Sequence, residues 1–418
     1  MNKWYNKLQY GAMLLMAAAM PISWRFGLWT ALLLALVSVV KMVAGRRVGN
    51  PALDRRLRIV LYAALAYWVL LVVSVLYSND VAAAWEIIWR KSALVIFPLC
   101  FLLTDTSCLT AKHLRGLGYA LLLSVCGVFL YFSVKAAVGM MNGATFAAVT
   151  GSYTFDPRHH AYTSLYMAIG IVFVLHEMSR RWQEMKVWYR VVLSVALVVC
   201  MFYLMMVNSR AGILSLWMVV VGYVAYMALF CKRWLLALCV GLLFAGVQIG
   251  MKVFITHEDR IEATASNMNS GGEDARMKIY KSAIHSIDGK PVLGHGAGDY
   301  YQRFADKSTV ENDGYVAKNI HNQYLETLLS VGVICLVPFL IWLLYPLWLA
   351  WRRKSPNLFL MLMLVGVVMF NLLFESMLER QMGLLFIGYL LSVIVLILSL
   401  EENKFGYVKG KEYFCTRF

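Results

Sequence analysis

Charge is scarce in this sequence, and the scarcity excludes a soluble globular protein. Only 15% of the 418 residues are charged, whereas 61% are hydrophobic and the mean hydropathy is +0.66. Soluble domains average about 25% charged residues. The apolar residues form long runs, and a helix needs roughly 20 of them to cross the hydrocarbon core of a bilayer. The composition therefore predicts a membrane protein.

The apolar runs also lack the alternation of apolar and polar residues that a membrane barrel strand requires, as in 192–207. Helices suit lipid because each backbone polar group is satisfied within its own segment. We therefore predict an all-α, polytopic membrane protein with about twelve transmembrane helices. The predicted spans lie near residues 8–22, 26–43, 57–78, 86–104, 115–138, 160–177, 188–207, 211–231, 234–256, 322–350, 357–376 and 381–399.

Two kinds of short motif are missing as well. No small-x-small cleavage site follows the basic segment 1–7, so no cleavable signal peptide is predicted. No two of the eight cysteines have C-x-x-C spacing, which argues against a disulfide framework or a zinc site. We interpret the cysteines as small core residues.

The distribution of basic residues predicts the topology, because short cytoplasmic loops are enriched in Lys and Arg. With a cytoplasmic N-terminus, 22 of the 39 basic residues fall in loops or tails on the cytoplasmic side. The short loops on the other side carry isolated arginines: Arg25, Arg158, Arg210 and Arg380. Both termini are therefore predicted to be cytoplasmic. Topology then accounts for the net charge of +16, which gives no reason to propose a nucleic-acid partner.

Long hydrophilic stretches are absent with one exception, residues 257–320. The exception divides the chain into transmembrane helices 1–9 (1–256), an outward loop (257–320), transmembrane helices 10–12 (321–400) and a cytoplasmic tail (401–418), and the family resemblance described below would make the outward loop a periplasmic loop.

Within the loop, residues 270–273 have the form of a capping box and predict a helix from Glu273 to about Ser286. The segment 290–299 is rich in glycine and predicts a tight turn; it lacks the Gly-Lys-Ser/Thr of a phosphate loop. One apolar face of the helix should rest on the bundle or the membrane surface: Ala275, Ile279, Ala283 and Ile287.

Arginines at the outward boundary are the candidate binding residues. Arg276 lies in the first turn of the loop helix, where the helix dipole disfavours a cation, so an anionic partner is indicated. That partner is either a ligand or one of the local acids, Glu273 and Asp274. Arg210 stands in a very short outward turn, where its guanidinium could grip phosphate through two hydrogen bonds. The alternative is an arginine that only anchors the helix ends.

Further cations would extend this boundary into an electropositive rim suited to a phosphate-bearing lipid. Arg90 and Lys91 lie about one turn inside the outward end of their span. Arg158 precedes His159 and His160 at the mouth of another span.

His321 opens a helix, where the positive end of the dipole favours a neutral imidazole that could accept a proton from a hydroxyl. Six of the eight histidines lie on the outward side, but their spacing matches no metal-ligand pattern, so no metal is expected. Glu326 is five residues further on, away from the helical face of His321. We expect it to satisfy a neighbouring helix.

The order and spacing of these pieces resemble the O-antigen ligase and O-antigen polymerase superfamily over almost the whole chain. The resemblance rests on Ser209-Arg210-Ala211-Gly212, Arg276-x-x-x-Tyr280-x-x-Ala283, Pro291-x-x-Gly294-x-Gly296-x-Gly298 and His321-Asn322. A tryptophan is usual where this chain has Tyr280.

The resemblance implies a glycosyltransferase of the bacterial inner membrane, with its active site at the periplasmic face and no cofactor or metal. The donor would be a glycan on undecaprenyl pyrophosphate, bound by Arg210 and Arg276, and His321 would be the base. Glu375, Arg380 and Tyr280 could help to build the acceptor site. Displacement by one hydroxyl would invert the anomeric centre, since no second carboxylate suited to a covalent intermediate is evident.

Three functions remain open at this point. A ligase would use lipid A-core as acceptor, and a polymerase would use another lipid-linked glycan. The single extended outward loop with its helix favours the ligase. A transporter or flippase would show ionisable residues at mid-membrane and broken helices in repeated halves, of which the sequence has few signs. The sugar, the linkage and the oligomeric state do not follow from the sequence.

Overall fold

The computed structural model describes residues 2–46, 48–145, 149, 156, 158–254, 275–311 and 319–405. Across these residues the regular secondary structure is helical throughout, which confirms the all-α fold class. Three short 3₁₀ turns, at Ser74–Tyr77, Trp182–Glu184 and Met377–Glu379, accompany the α-helices. The α-helices are α1 (Asn2–Ile22), α2 (Trp24–Gly45), α3 (Arg55–Val73), α4 (Val81–Lys91), α5 (Ala93–Leu103), α6 (Ala111–Met141), α7 (His160–Arg181), α8 (Val187–Val207), α9 (Arg210–Leu229), α10 (Trp234–Phe254), α11 (Ala275–Ser286), α12 (Tyr300–Glu311), α13 (Gln323–Arg352), α14 (Leu358–Phe374) and α15 (Gln381–Phe405).

Eight of the described helices are long and apolar enough to cross a bilayer, and the predicted number of twelve is not confirmed. The eight are α2, α3 with its 3₁₀ turn, α6, α7, α8, α9, α13 and α15. Helices α5 and α14 are apolar but shorter, as is the apolar part of α10, Trp234–Gly250. The span predicted at 86–104 is wrong as a single helix, because α4 ends at Lys91 and α5 begins at Ala93.

Helices α7 and α15 form the centre of the bundle. In each of these two helices, 89% of the residues in the most apolar 18-residue stretch are buried, whereas the corresponding share in the other spanning helices is 33–50%. Helix α7 carries polar residues such as Thr163 and Ser164, which the surrounding helices keep away from lipid. The rings of Tyr166 and Phe386 meet with centroids 4.6 Å apart, and the Tyr166 hydroxyl donates to the carbonyl of Met382 at 2.9 Å. The two central helices are therefore joined near the end of the bundle that carries the 275–311 segment.

We call that end the loop face and the other end the opposite face. Helix α11 begins, in the described residues, two positions after the predicted start, and it ends at Ser286 as predicted. The predicted capping box at 270–273 lies outside the described residues. Ile279 and Ala283 are buried, which confirms that part of the predicted apolar face. Helix α12 was not predicted; its Phe304 is fully buried.

The predicted glycine turn is a strap, residues 291–298, docked on a break in α13. His295 N donates to Leu329 O at 2.9 Å, and Val333 N donates to Pro291 O at 2.9 Å. The break is at Gly332, whose φ of +73° interrupts the helical backbone before the helix resumes. Gly294 has φ +66°, and a Cβ there would lie 2.6 Å from the carbonyl carbon of Ser330. Only glycine allows this approach of two backbones.

Candidate functional site

His321 lies two residues before α13, outside the helix that it was predicted to open, and it occupies a strained position. Its φ is +54°, in the left-handed region that side-chain-bearing residues rarely adopt, at a cost of about 1–3 kcal/mol. The cap of α13 is Asn322, whose side chain accepts from the backbone N–H groups of Tyr324 at 3.0 Å and Leu325 at 3.1 Å. Since Asn322 satisfies the helix terminus, capping does not explain the conformation of His321. Strained residues of this kind cluster at functional sites.

Glu375, which follows α14, holds the imidazole of His321. The distance from His321 Nδ1 to Glu375 Oε2 is 3.0 Å, and Asn319 Nδ2 donates to Glu375 Oε1 at 2.9 Å. A carboxylate at Nδ1 favours the tautomer with the proton on Nδ1 and leaves Nε2 as the acceptor. No described residue forms a hydrogen bond with Nε2, and the His321 side chain is 32% exposed. The pair is therefore arranged as an oriented base with an accessible acceptor atom.

The electrostatic surroundings keep the Glu375 carboxylate ionised. Burial alone would raise the pKa of Glu375, but the hydrogen bond and charge of His321, followed by the charges of His159 and Arg276, hold that pKa below its ordinary value. Arg276 therefore lies close enough to act on the carboxylate. These groups gather from α11, α13, α14 and the start of α7 at the loop face.

Helix α11 is fixed over this pair by Tyr280. The Tyr280 hydroxyl lies 3.0 Å from the carbonyl oxygen of His321 and 2.8 Å from that of Leu373, and it can donate to either. Arg276 is four residues earlier, on the same face of the helix. Tyr280 thus bonds to the backbone next to the site, and it holds Arg276 where its charge acts on Glu375.

His159 belongs to the same cluster, and the sequence did not distinguish it as a site residue. Burial is the main cause that lowers the pKa of His159, and the group also senses Glu375, Arg380 and His321. Its Nδ1 atom is buried and has no hydrogen-bond partner in the described part of the chain. The sequence placed His159 at the start of a predicted span, next to Arg158. That position does not single out His159, because His160 lies at the same boundary.

Arg210 is the first residue of α9, as the predicted turn requires. The turn reverses at Asn208, with φ +50°, and Ser209 caps the helix by accepting from Gly212 N at 3.4 Å. Ser215 of α9 accepts from Asn371 Nδ2 of α14 at 2.9 Å. Arg210 lies five residues from Ser215 towards the loop face, and Glu375 lies four residues from Asn371 in the same direction. The two side chains therefore start at similar depth, at about 1.5 Å per residue.

The other predicted rim cations are bonded to acids of the protein. Arg158 Nη2 lies 2.6 Å from Asp156 Oδ2 and 2.7 Å from the Tyr203 hydroxyl. Arg90 Nη2 lies 2.9 Å from Glu86 Oε1. Diphosphate binding by Arg158 and Arg90 stays a prediction, and either residue would have to exchange these partners for a ligand.

Beneath the cluster, the turn 375–380 is tied to α4 and α13. Fully buried Lys91 forms an ion pair with Glu379, and Leu378 N donates to Gln323 Oε1 at 2.7 Å. Burial would raise the pKa of Glu379, but the charge of Lys91 and a hydrogen bond with Glu326 lower it. Glu326 also accepts from the Tyr300 hydroxyl at 3.1 Å, which confirms that it satisfies neighbouring elements.

Arg380 is exposed at the end of this turn, near His159. The acceptor role predicted for Glu375, Arg380 and Tyr280 remains a prediction. For metal binding, the described residues contain no group of three or more His, Cys, Asp or Glu side chains placed to hold an ion.

Residues 195–340 match the model of a protein family, Wzy_C, described as O-Antigen ligase. The matched segment is about a third of the chain and contains Arg210, Arg276, Tyr280 and His321. It confirms the resemblance seen in the sequence, and no curated protein matches the chain. The match and the apolar helices together support a multi-pass membrane protein with a glycosyltransferase-like activity in polysaccharide assembly.

Proposed function

We propose that the chain is an O-antigen ligase type of glycosyltransferase in the bacterial inner membrane, with the loop face in the periplasm. It would move a glycan from undecaprenyl pyrophosphate to a hydroxyl of lipid A-core. The observation that carries the proposal is the His321–Glu375 pair, which lies beside Arg276 at the loop face. A base next to arginines is the combination that transfer from a diphosphate to a hydroxyl requires.

In the proposed reaction, His321 Nε2 takes the proton of the acceptor hydroxyl as its oxygen attacks the anomeric carbon. Glu375 stays ionised and stabilises the imidazolium that forms. The bond from the anomeric carbon to the diphosphate oxygen breaks, and the electron pair leaves with the diphosphate. The single displacement inverts the anomeric centre.

The leaving group gains negative charge, and Arg276 and Arg210 are proposed to stabilise it. Guanidinium groups bind phosphate oxygens in a two-pronged geometry and stay charged at all physiological pH values. Arg276 is supported by its proximity to Glu375, and Arg210 by its depth at the start of α9. No metal is invoked, since fixed cations can serve this role.

The turn 375–380 is proposed to border the acceptor. Glu375 is already bonded to His321 and Asn319, so its part is to orient the base. Exposed Arg380 is the residue of this turn that a lipid A-core phosphate could reach. Tyr280 serves by positioning α11.

The alternative acceptor is the non-reducing end of another lipid-linked glycan, which would make the protein a polymerase. The same base and arginines serve both reactions. A transporter is the less favoured interpretation, because the ionisable residues of the proposed site gather at the loop face and not at mid-membrane.

The lipopolysaccharide banding pattern of a deletion strain tests the proposal, with complementation by the intact gene and by a His321→Asn variant. A ligase predicts loss of polymer on the core together with accumulation of lipid-linked polymer. A core carrying one repeat would indicate the polymerase. Restoration of wild-type banding by His321→Asn, at matched protein levels, would overturn the proposed mechanism.

A further inference from the structure

A second group of cations surrounds a cavity at the opposite face, remote from the site just described. The cavity has a volume of about 510 Å³ and lies among the ends of α1, α6, α7 and α8. Its lining includes Lys112 and Arg115 of α6, Arg181 of α7 and Tyr189 of α8. Ligand sites commonly have volumes of about 300–1,000 Å³.

The orientations of α6 and α7 place the cavity at the opposite face. Helix α7 starts at the loop face with His160, so Arg181 at its end reaches the opposite face. Helix α6 runs the other way, so that Lys112 and Arg115 in its first turns lie beside Arg181. The cavity is therefore separated from His321 by the length of α7, about 30 Å at 1.5 Å per residue.

The charge of the lining is unbalanced. Arg181 is paired with Glu177 at 3.0 Å and with Glu184 at 3.6 Å. Lys112 and Arg115 have no ion-pair partner in the described part of the chain. Two positive charges therefore border the cavity without an acid of the protein.

The local helix geometry favours an anion at the same place. The first turn of α6 contains no acidic residue, although the helix dipole would favour one there, and it contains Lys112 instead. His113 also lines the cavity, and its Nδ1 is occupied because it accepts from Thr110 N at 3.1 Å. An anion in the cavity would complement both the dipole and the two unbalanced cations.

Tyrosines shape the remaining wall. The Tyr119 hydroxyl donates to Glu177 at 2.6 Å, and Tyr119 and Tyr189 meet edge to face with centroids 6.0 Å apart. Tyr10 borders the other side, where Gly116 leaves room for its hydroxyl: a Cβ on Gly116 would collide with that oxygen. The wall thus combines aromatic surface with cations, as a group that is partly apolar and partly anionic requires.

We propose that this cavity binds the phosphate group of an anionic phosphate ester through Lys112 and Arg115, independently of the glycosyl transfer. The ester would come either from the headgroup of a membrane phospholipid or from a soluble phosphate compound. A basic pocket between membrane helices is a recurrent form of headgroup site.

The test measures lipid retention by native mass spectrometry on the full chain, purified in neutral detergent and titrated with phosphatidylglycerol or phosphatidylethanolamine. The wild type should bind phosphatidylglycerol in preference. The double variant Lys112→Gln/Arg115→Gln should lose on the order of 25-fold in affinity, from about fivefold per basic residue. The matched control, Arg55→Gln/Arg56→Gln, removes the same charge from exposed positions in the first turn of α3 and should bind as the wild type does.

Competition with glycerol 3-phosphate distinguishes the two sources. Displacement of the lipid at comparable concentration supports a soluble phosphate ester, and resistance to displacement supports the lipid headgroup. Equal binding of phosphatidylglycerol by the wild type and the cavity variant would overturn the proposal, as would equal loss in the control. If the double variant is poorly folded, the two single variants provide the same comparison at about fivefold each.

Discussion

The imidazole of His321 and the carboxylate of Glu375 are 54 positions apart in the chain, yet Nδ1 and Oε2 lie 3.0 Å apart. Glu375 is 4% exposed, and its second oxygen is bonded to Asn319, so the carboxylate is fixed on both sides. A fixed carboxylate sets the tautomer of the base and stabilises the imidazolium that forms during the reaction.

We expect Glu375→Gln to lower the rate of glycan transfer by about a hundredfold or more, because the variant loses both effects. Purified protein with lipid-linked donor and hydroxyl acceptor provides the assay. Asp306→Asn, which removes an acid from α12 at the same face, should keep the wild-type rate. Unchanged transfer by Glu375→Gln would reduce Glu375 to a structural residue.

The stability of the protein should depend on Glu375 in a defined pH range. The pKa of Glu375 is lowered from an ordinary value of 4.5, so its ionised form is favoured by folding. The stabilisation is therefore complete above pH 4.5 and is lost as the pH falls through the lowered pKa. Thermal unfolding in detergent should show a gap between the wild type and Glu375→Gln that narrows below that pH. A gap that widens on acidification would contradict this assignment.

His321→Asn and His321→Ala separate the chemistry of the imidazole from the strain of its backbone. Asparagine tolerates the left-handed conformation better than alanine does. His321→Asn should therefore unfold at a higher temperature than His321→Ala, while both variants lose about 10²–10⁴-fold in transfer. Binding of the lipid diphosphate should persist in both, since the arginines remain. Substantial transfer by His321→Asn would contradict the assignment of His321 as the base.

Arg210→Lys keeps the charge at the start of α9 but replaces a two-pronged donor by a point charge. We expect most of the transfer activity to be lost while membrane insertion stays normal. Arg25→Lys, at the start of α2, is the matched control at another isolated arginine and should leave transfer unchanged. If Arg210→Lys transfers glycan at nearly the wild-type rate, Arg210 is an anchor for the helix end.

Lys91→Met should destabilise the protein by about 3–5 kcal/mol, because it leaves the carboxylate of Glu379 without its buried cation. Denaturant or thermal unfolding in detergent measures the loss. The double variant Lys91→Met/Glu379→Gln removes the uncompensated charge and should recover much of the stability. A double variant as unstable as Lys91→Met would show that lost packing, not charge, is responsible.

The sequence alone determined the helical class and most helix positions. Helix α8 was predicted at 188–207 and lies at Val187–Val207, and α9 was predicted at 211–231 and lies at Arg210–Leu229. The ends of these helices could be predicted because each long apolar run is bounded by polar or charged residues close by in the sequence. The prediction of His321, Arg210 and Arg276 as site residues came from such boundaries and from the resemblance to a family.

Only the tertiary structure decided which side chains at the helix ends contact each other. The break between α4 and α5 lies at Ser92, where no glycine or proline in the sequence predicts it. The break places Lys91 where its side chain forms an ion pair with Glu379. Likewise the partner of His321 is set by the packing of α14 beside α13. Both depend on side-chain contacts between helices distant in sequence, and a periodic apolar pattern is equally compatible with many such packings.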